Sequence, residues 1–335
     1  MIARRHVLAG LAATAIVGRA AAAATIGGVT RLDPALDRFV AAGATIEILG
    51  TGYRWAEGPV WSPREQALLF SDVPANVVHR WTRAGGVTQL LSPSGLQTAV
   101  PSGIREAGAN GLAFDREGRL LIADSGTRAI VRLDLRTQKR VVLADRFGGK
   151  RFNSPNDLVV AASGAIYFTD PPYGLAEGDT SPLREQPRNG VYRLAPDGTV
   201  ALVDGELHRP NGVGLSPDGR TLYVSLSDEK RPEILAYPLG RDGLPTGRRV
   251  FCDLRADLAR GLPGLPDGMD VDRSGRVLAT GPGGVHVLAP DGRRLGLIAT
   301  GKAVANCCVG EDGRSLFMTS SDMLARVRLI GSGAS

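Results

Sequence analysis

The segment LSPDGRTLYVS (residues 215–225) joins a tight Asp-Gly turn to an apolar run of the kind that forms a β-strand. The pattern recurs as WSPREQALLFSD (61–72), which lacks the turn glycine, and as FDREGRLLIAD (114–124), VAASGAIYFTD (160–170), VDRSGRVLATG (271–281) and VGEDGRSLFMT (309–319). The turn glycines of the last five copies along the chain are 46, 55, 56 and 38 residues apart. A repeat of roughly 40 to 55 residues is typical of β-propeller blades and is longer than most solenoid repeats.

Each repeat holds enough sequence for four short strands. In the second repeat, β-branched runs bounded by turn residues predict strands at 110–115, 119–124, 129–134 and 140–144. The last repeat supplies only three strands, and the spare strand TIEILG (45–50) is expected to complete it and to remove an open sheet edge. We predict an all-β fold, a six-bladed β-propeller with four antiparallel strands per blade, whose last blade is closed by an N-terminal strand. Two separate β domains are the alternative, although no Pro/Ser-rich linker divides the repeats.

The N-terminus has the features of a removable export signal. Arg4 and Arg5 precede an apolar run too short to span a bilayer, and an Ala-rich stretch follows. We predict a twin-arginine-type signal peptide over 1–24, a lead-in segment over 25–43 and a single propeller domain over 44–330. This organisation implies a periplasmic or secreted protein. A short membrane anchor is the alternative interpretation of the N-terminus.

The charge of the chain does not indicate a nucleic-acid partner. The formal net charge of +6 falls to +3 when Arg4, Arg5 and Arg19 leave with the signal, and the sequence has no basic run with interleaved aromatic residues. Three cysteines without a Cys-x-x-Cys spacing indicate neither a disulfide framework nor a zinc site. We expect a small-molecule partner, no nucleic acid, and no integral membrane association after signal removal.

A polar residue stands four positions before the apolar residue that opens each of the first five repeats. These residues are Glu57, Asn110, Asn156, Asn211 and Asp267. The first strand of every blade lines the central channel of a propeller, so one register in successive blades forms a ring of side chains around the axis. We call these five residues the ring residues. Turn residues that only begin each strand are the alternative explanation.

A ring of two carboxylates and three amides favours a hard cation. Buried carboxylates are costly to desolvate without a partner. An all-oxygen donor set without His or Cys is typical of Ca²⁺ or Mg²⁺ sites. We therefore expect Ca²⁺ as the cofactor, with Mg²⁺, Mn²⁺ or Zn²⁺ as possible substitutes.

The chain resembles the SMP-30/gluconolactonase/LRE family at several motifs. They include WAEGPVW (55–61), GANGLAFD (108–115), RFNSPNDLVV (151–160), FTDPPYG (168–174), RPNGVGLSPDGRTLYV (209–224) and LPDGMDVD (265–272). The resemblance implies a six-bladed propeller and calcium-dependent lactone hydrolysis. It also implies Glu57, Asn211 and Asp267 as metal ligands, with Asn156 as a fourth contact to metal or substrate.

The same resemblance implies that Asp267 activates water and that Asn110 contacts the substrate. Ser125 departs from the family pattern, because related enzymes often have a histidine after an acidic residue there. Substrate contacts at this position are therefore expected to differ.

Lactone hydrolysis needs a polarised carbonyl group, a nucleophilic water and stabilisation of an oxyanion. A bound Ca²⁺ can meet the first and last needs, and Asp267 is the candidate base. Arg151, beside Asn156, and Asp170, at the end of a second strand, are candidate substrate contacts. A surface salt bridge and turn capping are the respective alternatives. The connection 171–189 is long enough to be a lid.

Taken together, these patterns predict a Ca²⁺-dependent hydrolase that opens a sugar lactone such as gluconolactone to the aldonic acid. One alternative is a lactonase or phosphotriesterase that acts on apolar esters. Another is a metal-binding propeller without catalytic activity, because the fold itself carries no chemistry.

Overall fold

The fold consists almost entirely of β-strands, arranged as six antiparallel blades in a ring. The computed structural model describes residues 25–330, so the predicted signal peptide lies outside the described residues. This part of the chain contains one α-helix, α1 (Arg255–Ala259), and two 3-10 helices, Pro34–Arg38 and Gly178–Thr180. None of the helices within 25–330 is long and apolar enough to cross a membrane. The prediction of a six-bladed β-propeller is confirmed.

The strands follow one another in chain order, blade by blade. Three strands precede the first blade: β1 (Thr25–Ile26), β2 (Gly28–Arg31) and β3 (Ile46–Thr51). Blade one contains β4 (Ala56–Ser62), β5 (Ala67–Asp72), β6 (Val77–Thr82) and β7 (Gly86–Leu91). Blade two contains β8 (Ala109–Phe114), β9 (Leu120–Asp124), β10 (Ala129–Leu133) and β11 (Arg140–Ala144). A small hairpin follows, formed by β12 (Arg146–Phe147) and β13 (Lys150–Arg151).

The second half of the chain forms four more blades. Blade three contains β14 (Leu158–Val160), β15 (Ile166–Asp170), β16 (Gly190–Leu194) and β17 (Val200–Asp204). Blade four contains β18 (Pro210–Leu215), β19 (Thr221–Leu226), β20 (Glu233–Pro238) and β21 (Arg249–Asp253). Blade five contains β22 (Met269–Val271), β23 (Val277–Gly281), β24 (Gly284–Leu288) and β25 (Arg294–Ala299). Blade six contains β26 (Asn306–Gly310), β27 (Ser315–Ser320) and β28 (Met323–Arg328), to which β3 is added.

The N-terminal strands close the ring. As predicted, β3 pairs antiparallel with β28, with Ile46 opposite Val327 and Thr51 opposite Met323. The lead-in segment adds two short strands that the sequence did not predict: β1 extends blade six beyond β3, and β2 pairs with β25 of blade five. The segment therefore covers the outer edges of two neighbouring blades, where unpaired strand edges would otherwise be exposed.

Apolar side chains fill the space between neighbouring blades. Between blades two and three, Leu121 and Ile130 pack with Phe152, Phe168 and Tyr192, all of which are almost completely buried. The rings of Phe152 and Phe168 meet edge to face, with their centroids 5.1 Å apart. Burying each such side chain contributes roughly 1.5–3 kcal/mol to folding. This packing holds the chain that leads into the third inner strand, and so positions one of the ring residues.

Candidate active site

All five ring residues line a single cavity of about 540 Å³, at the end of the channel where the inner strands begin. Three of them lie on inner strands: Glu57 on β4, Asn110 on β8 and Asn211 on β18. Asn156 and Asp267 lie two residues before β14 and β22. All are buried except Asp267, which is partly buried. The common register therefore brings these side chains together, and their roles as ligands or substrate contacts stay predictions.

A hydrogen bond between neighbouring blades sets the register of the ring. A hydroxyl group near the end of the second strand donates to the main-chain carbonyl of the ring residue in the next blade. Ser71 bonds Asn110 O at 2.7 Å, and Thr169 bonds Asn211 O at 2.6 Å. Ser225 makes the same bond to Asp267 O. Because these serine and threonine side chains are buried, blades one, three and four each fix the position of the ring residue in the blade that follows.

Glycine after a ring residue lets the inner strands approach each other. A Cβ atom at Gly58 would lie 2.0 Å from Asn110 O, and one at Gly212 would lie 2.2 Å from Asp267 O. Gly58 also has a φ of +50°, which favours glycine. In blade three, Asp157 takes this place, and its carboxylate accepts hydrogen bonds from the main-chain N–H of Leu158 and of Val213 in the next blade.

Two acidic residues position the chain just before a ring residue. Asp72 accepts hydrogen bonds from the main-chain N–H of Arg54 (3.0 Å) and Trp55 (3.2 Å), three and two residues before Glu57. Asp170 does the same for Asn153 and Ser154, both at 2.8 Å and at the same offsets from Asn156. Each carboxylate thus holds the backbone that leads into a ring residue.

Two predicted substrate contacts lie outside the cavity lining. Asp170 is fully buried beneath the loop that it holds. Arg151 lies on the β12–β13 hairpin, where its guanidinium donates to Thr127 O at 2.7 Å and its main-chain N–H donates to Glu185. In the structure the side chains of both residues bind the protein backbone, and their roles as substrate contacts stay predictions drawn from the position of Arg151 beside Asn156 and of Asp170 at a strand end.

Burial of several carboxyl groups makes the cavity favourable for positive charge. Burial raises the pKa of Glu57 to about 7 and that of Glu106 to about 7. Burial, followed by the negative charges of Glu57 and Asp157, raises the pKa of Asp267 well above its ordinary value. Desolvation opposes the ionisation of all of these carboxyl groups, and the positive charge of a bound cation would favour their ionised form again.

The side chains present fit a hard divalent cation. Asn211 donates its amide Nδ2 to Ser227 Oγ at 2.8 Å, which leaves its carbonyl oxygen free for the cavity. The Glu57 carboxylate accepts a bond from Gly58 N at 3.0 Å, and the side chains of Trp55 and Asn306 also face it and favour its ionised form. The described residues include no cluster of three or more His, Cys, Asp or Glu side chains placed to hold a metal. The amide oxygens of Asn156 and Asn211 would therefore have to complete a donor set that Glu57 and Asp267 begin.

The cavity walls contain residues that the repeat could not reveal. They include three charged residues, Arg105, Glu106 and Arg209, and three leucines, Leu258 on α1 followed by Leu262 and Leu265. All of them come from connections between strands, and these connections are not part of the sequence repeat, so the repeat predicts no site residue there. Tyr173 also lines the cavity, and it belongs to the FTDPPYG motif, which was the only signal available for it. Burial raises its pKa, and the charge of Asp267 raises it further.

The connection predicted to be a lid is fastened to its neighbour. Ile104 and Leu175 form an antiparallel bridge between segments 92–109 and 171–189. Arg105 N donates to Gly174 O at 2.8 Å, and Ala176 N donates to Gly103 O at 2.8 Å. The two connections thus form one continuous wall beside the ring residues.

A sequence profile described as SMP-30/Gluconolactonase/LRE-like region matches residues 55–322. The chain belongs to the SMP-30/gluconolactonase/LRE-like family. Within this family, a gluconolactonase of Zymomonas mobilis is 46% identical over 332 residues, covering 96% of this chain and 93% of that protein. The structure of a gluconolactonase from Xanthomonas campestris has a TM-score of 0.79 at 34% identity, covering 93% and 99% of the two chains. A calcium-binding protein, regucalcin, from Agrobacterium tumefaciens shares the fold, with a TM-score of 0.64 at 22% identity over 85% and 94%.

Proposed function

We propose that this protein hydrolyses a sugar lactone such as gluconolactone to the aldonic acid, with the help of a bound divalent cation, Ca²⁺. The family and its gluconolactonases identify the chain as a lactone-hydrolysing enzyme. The observation that carries the finer proposal is the convergence of Glu57, Asp267 and three asparagine amides on one cavity. Gluconolactone as the substrate is supported by the names of these relatives.

The residues that would hold the cation are Glu57, Asn156, Asn211 and Asp267. When bound, a divalent cation would polarise the lactone carbonyl and stabilise negative charge on its oxygen. Support for Ca²⁺ comes from the all-oxygen donor set, since Ca²⁺ accepts carboxylate and amide oxygens in flexible geometry. Glu57 is the more deeply buried of the two acids, and we assign it to balancing the charge of the cation.

Asp267 is the candidate catalytic base. Its carboxylate accepts a proton from the water whose oxygen bonds to the carbonyl carbon. The ring C–O bond then breaks, and the proton passes to the ring oxygen, which becomes a hydroxyl group of the open-chain acid. Desolvation makes the Asp267 carboxylate more basic than an exposed aspartate, as this role requires.

The rest of the cavity suits a polyhydroxylated ring. Asn110 makes only main-chain hydrogen bonds within residues 25–330, so its amide is available for a substrate hydroxyl. Arg105 and Arg209 add hydrogen-bond donors to the cavity lining. The apolar faces of Leu258 and Leu262 can pack against the C–H face of a sugar. Export by the N-terminal signal, to the periplasm or beyond, stays a prediction from residues 1–24.

A pH-stat assay tests the proposal. We expect the purified protein to release protons from gluconolactone faster than spontaneous hydrolysis, to lose this rate in EDTA, and to regain it with added Ca²⁺. An aromatic lactone in parallel tests the alternative of an apolar ester substrate, and Glu57→Gln serves as the variant impaired in metal binding. A protein without a metal-dependent rate on either lactone would be a binding module.

A further inference from the structure

The hydroxyl group of Tyr173 is a buried polar atom without a hydrogen-bond partner among the described residues. It belongs to a side chain that lines the same cavity as the ring residues. A buried hydroxyl that makes no hydrogen bond costs free energy. Because the side chain lines a cavity, the missing partner is expected from a molecule that occupies it.

The polar groups beside the phenol are already engaged with one another. Ser227 donates to Pro266 O at 2.6 Å and accepts from Asn211 Nδ2 at 2.8 Å. Burial raises the pKa of Tyr173 and the side chains of Ser227 and Asn211 oppose that rise, so the phenol lies beside both of them, and Asn211 is a candidate metal ligand. A ligand oxygen in the cavity can therefore meet the phenol and the ring residues at once.

The backbone around Tyr173 is held from two sides. Gly174 N donates to Ser154 Oγ at 2.7 Å, and Ser154 Oγ donates to Pro171 O at 3.1 Å. From the opposite side, Arg105 N donates to Gly174 O at 2.8 Å, and the Arg105 guanidinium donates to Tyr173 O. A Cβ atom at Gly174 would lie 2.8 Å from Ser154, so the two segments are in close contact. The phenol is thus positioned before any ligand arrives, which is the property that makes a hydrogen-bond donor effective in catalysis.

We propose that Tyr173 is a catalytic residue whose hydroxyl donates a hydrogen bond to the carbonyl oxygen of the bound lactone and keeps it as that oxygen becomes negative. A neutral phenol is an O–H donor at neutral pH. The inference deepens the proposed function and rests on it, since Asp267 and the proposed cation require the reacting carbonyl to lie beside Asn211. The ring residues alone offer amides and carboxylates, and Tyr173 adds a hydroxyl donor from a different element.

The test is the variant Tyr173→Phe, which removes only the oxygen. We expect kcat on gluconolactone to fall on the order of 10²-fold, the usual loss when one oxyanion donor is removed. KM and the Ca²⁺ affinity measured by calorimetry should stay near the wild-type values. Tyr167→Phe is the matched control: it loses a 2.6 Å hydrogen bond to Gly243 O outside the cavity, so thermal stability should fall while kcat is retained.

Three results would overturn the assignment of Tyr173. An unchanged kcat would show that the hydroxyl does not act in turnover. A rise in KM alone would place the hydrogen bond on a substrate group that does not react. Weaker Ca²⁺ binding, with kcat restored at saturating Ca²⁺, would make the phenol part of the metal site. Wild-type protein without activity on any lactone would instead refute the proposed function, and this inference with it.

Discussion

At the residue scale, Asp267 is proposed both as a ligand of the cation and as the base that accepts a proton from water. It shares the cavity with Glu57, and burial together with that neighbouring charge raises its pKa. An Asp267→Asn variant keeps an oxygen that can face a cation but cannot accept a proton. We therefore expect Ca²⁺ to bind more weakly yet measurably, while kcat at saturating Ca²⁺ falls roughly 10²–10⁴-fold.

The control for this variant is Asp272→Asn in the same blade. Asp272 lies in a turn, where it pairs with Arg276 at 2.7 Å and does not line the cavity. Its variant should turn over at the wild-type rate. Steady-state kinetics combined with a calcium titration distinguishes the two steps, and full turnover by Asp267→Asn with metal bound would remove Asp267 from the role of base.

The ring residues could be predicted from the sequence because equivalent positions on the inner strands of successive blades lie around the same axis of a propeller. Glu57 and Asp267 are more than 200 positions apart in the chain, yet each stands four residues before its apolar anchor. Tyr173 and Glu106 could not be predicted in this way, since they come from connections that have no counterpart in other blades. Asp170 also occupies a repeated position, the end of the second strand of its blade, but its carboxylate binds main-chain N–H groups. The sequence alone does not indicate in which direction a side chain at the end of a strand points.

At the element scale, the inner strands are packed so closely that a methyl group is excluded. Gly58 has a φ of +50° and lies where a Cβ atom would be 2.0 Å from Asn110 O. Gly58→Ala should lower the free energy of unfolding by more than the roughly 1–3 kcal/mol that a strained backbone alone costs. Because Asn110 O is held by Ser71, relief by movement of β8 would also disturb the ring.

Gly219→Ala isolates the effect of backbone strain. Gly219 has a φ of +67°, but a Cβ atom there would meet no atom within 4 Å. Urea unfolding of both variants in Ca²⁺ therefore gives the crowding contribution as the difference between them. Equal losses of stability would contradict close contact between the first two inner strands.

The edge strands show the limit of prediction at this scale. The strand at 45–50 is predicted as the spare strand that completes the last blade, and it pairs as expected with β28. The lead-in segment has only short runs, and β1 and β2 contain two and four residues. Such short strands exist because blades five and six offer an edge to pair with, and that tertiary context is absent from local sequence.

At the scale of the whole molecule, the propeller concentrates buried acids around its axis, and this makes its stability depend on pH. Burial raises the pKa of Glu57, Glu106, Asp157 and Asp170 to about 7 each. A carboxyl group whose pKa is higher in the folded state stabilises the fold at low pH, and its contribution is lost as pH rises from its ordinary value to about 7. His286, with its pKa lowered to about 4, and His79, whose pKa is also lowered by burial, act in the opposite direction below their ordinary value, but they are two groups against four.

The metal-free protein should therefore lose stability between about pH 4 and about pH 7, by an amount on the order of a few kcal/mol. Urea unfolding in EDTA measures this loss. Ca²⁺ should reverse it mainly at the upper end, because the cation binds the ionised carboxylates and must displace their protons at the lower end. Calorimetry in two buffers of different ionisation enthalpy should accordingly detect proton release on Ca²⁺ binding at about pH 6 that disappears at about pH 8.5. A stability in EDTA that is flat across this range would mean that the acids are already paired within the protein, and a cation would then have no electrostatic reason to occupy the axis.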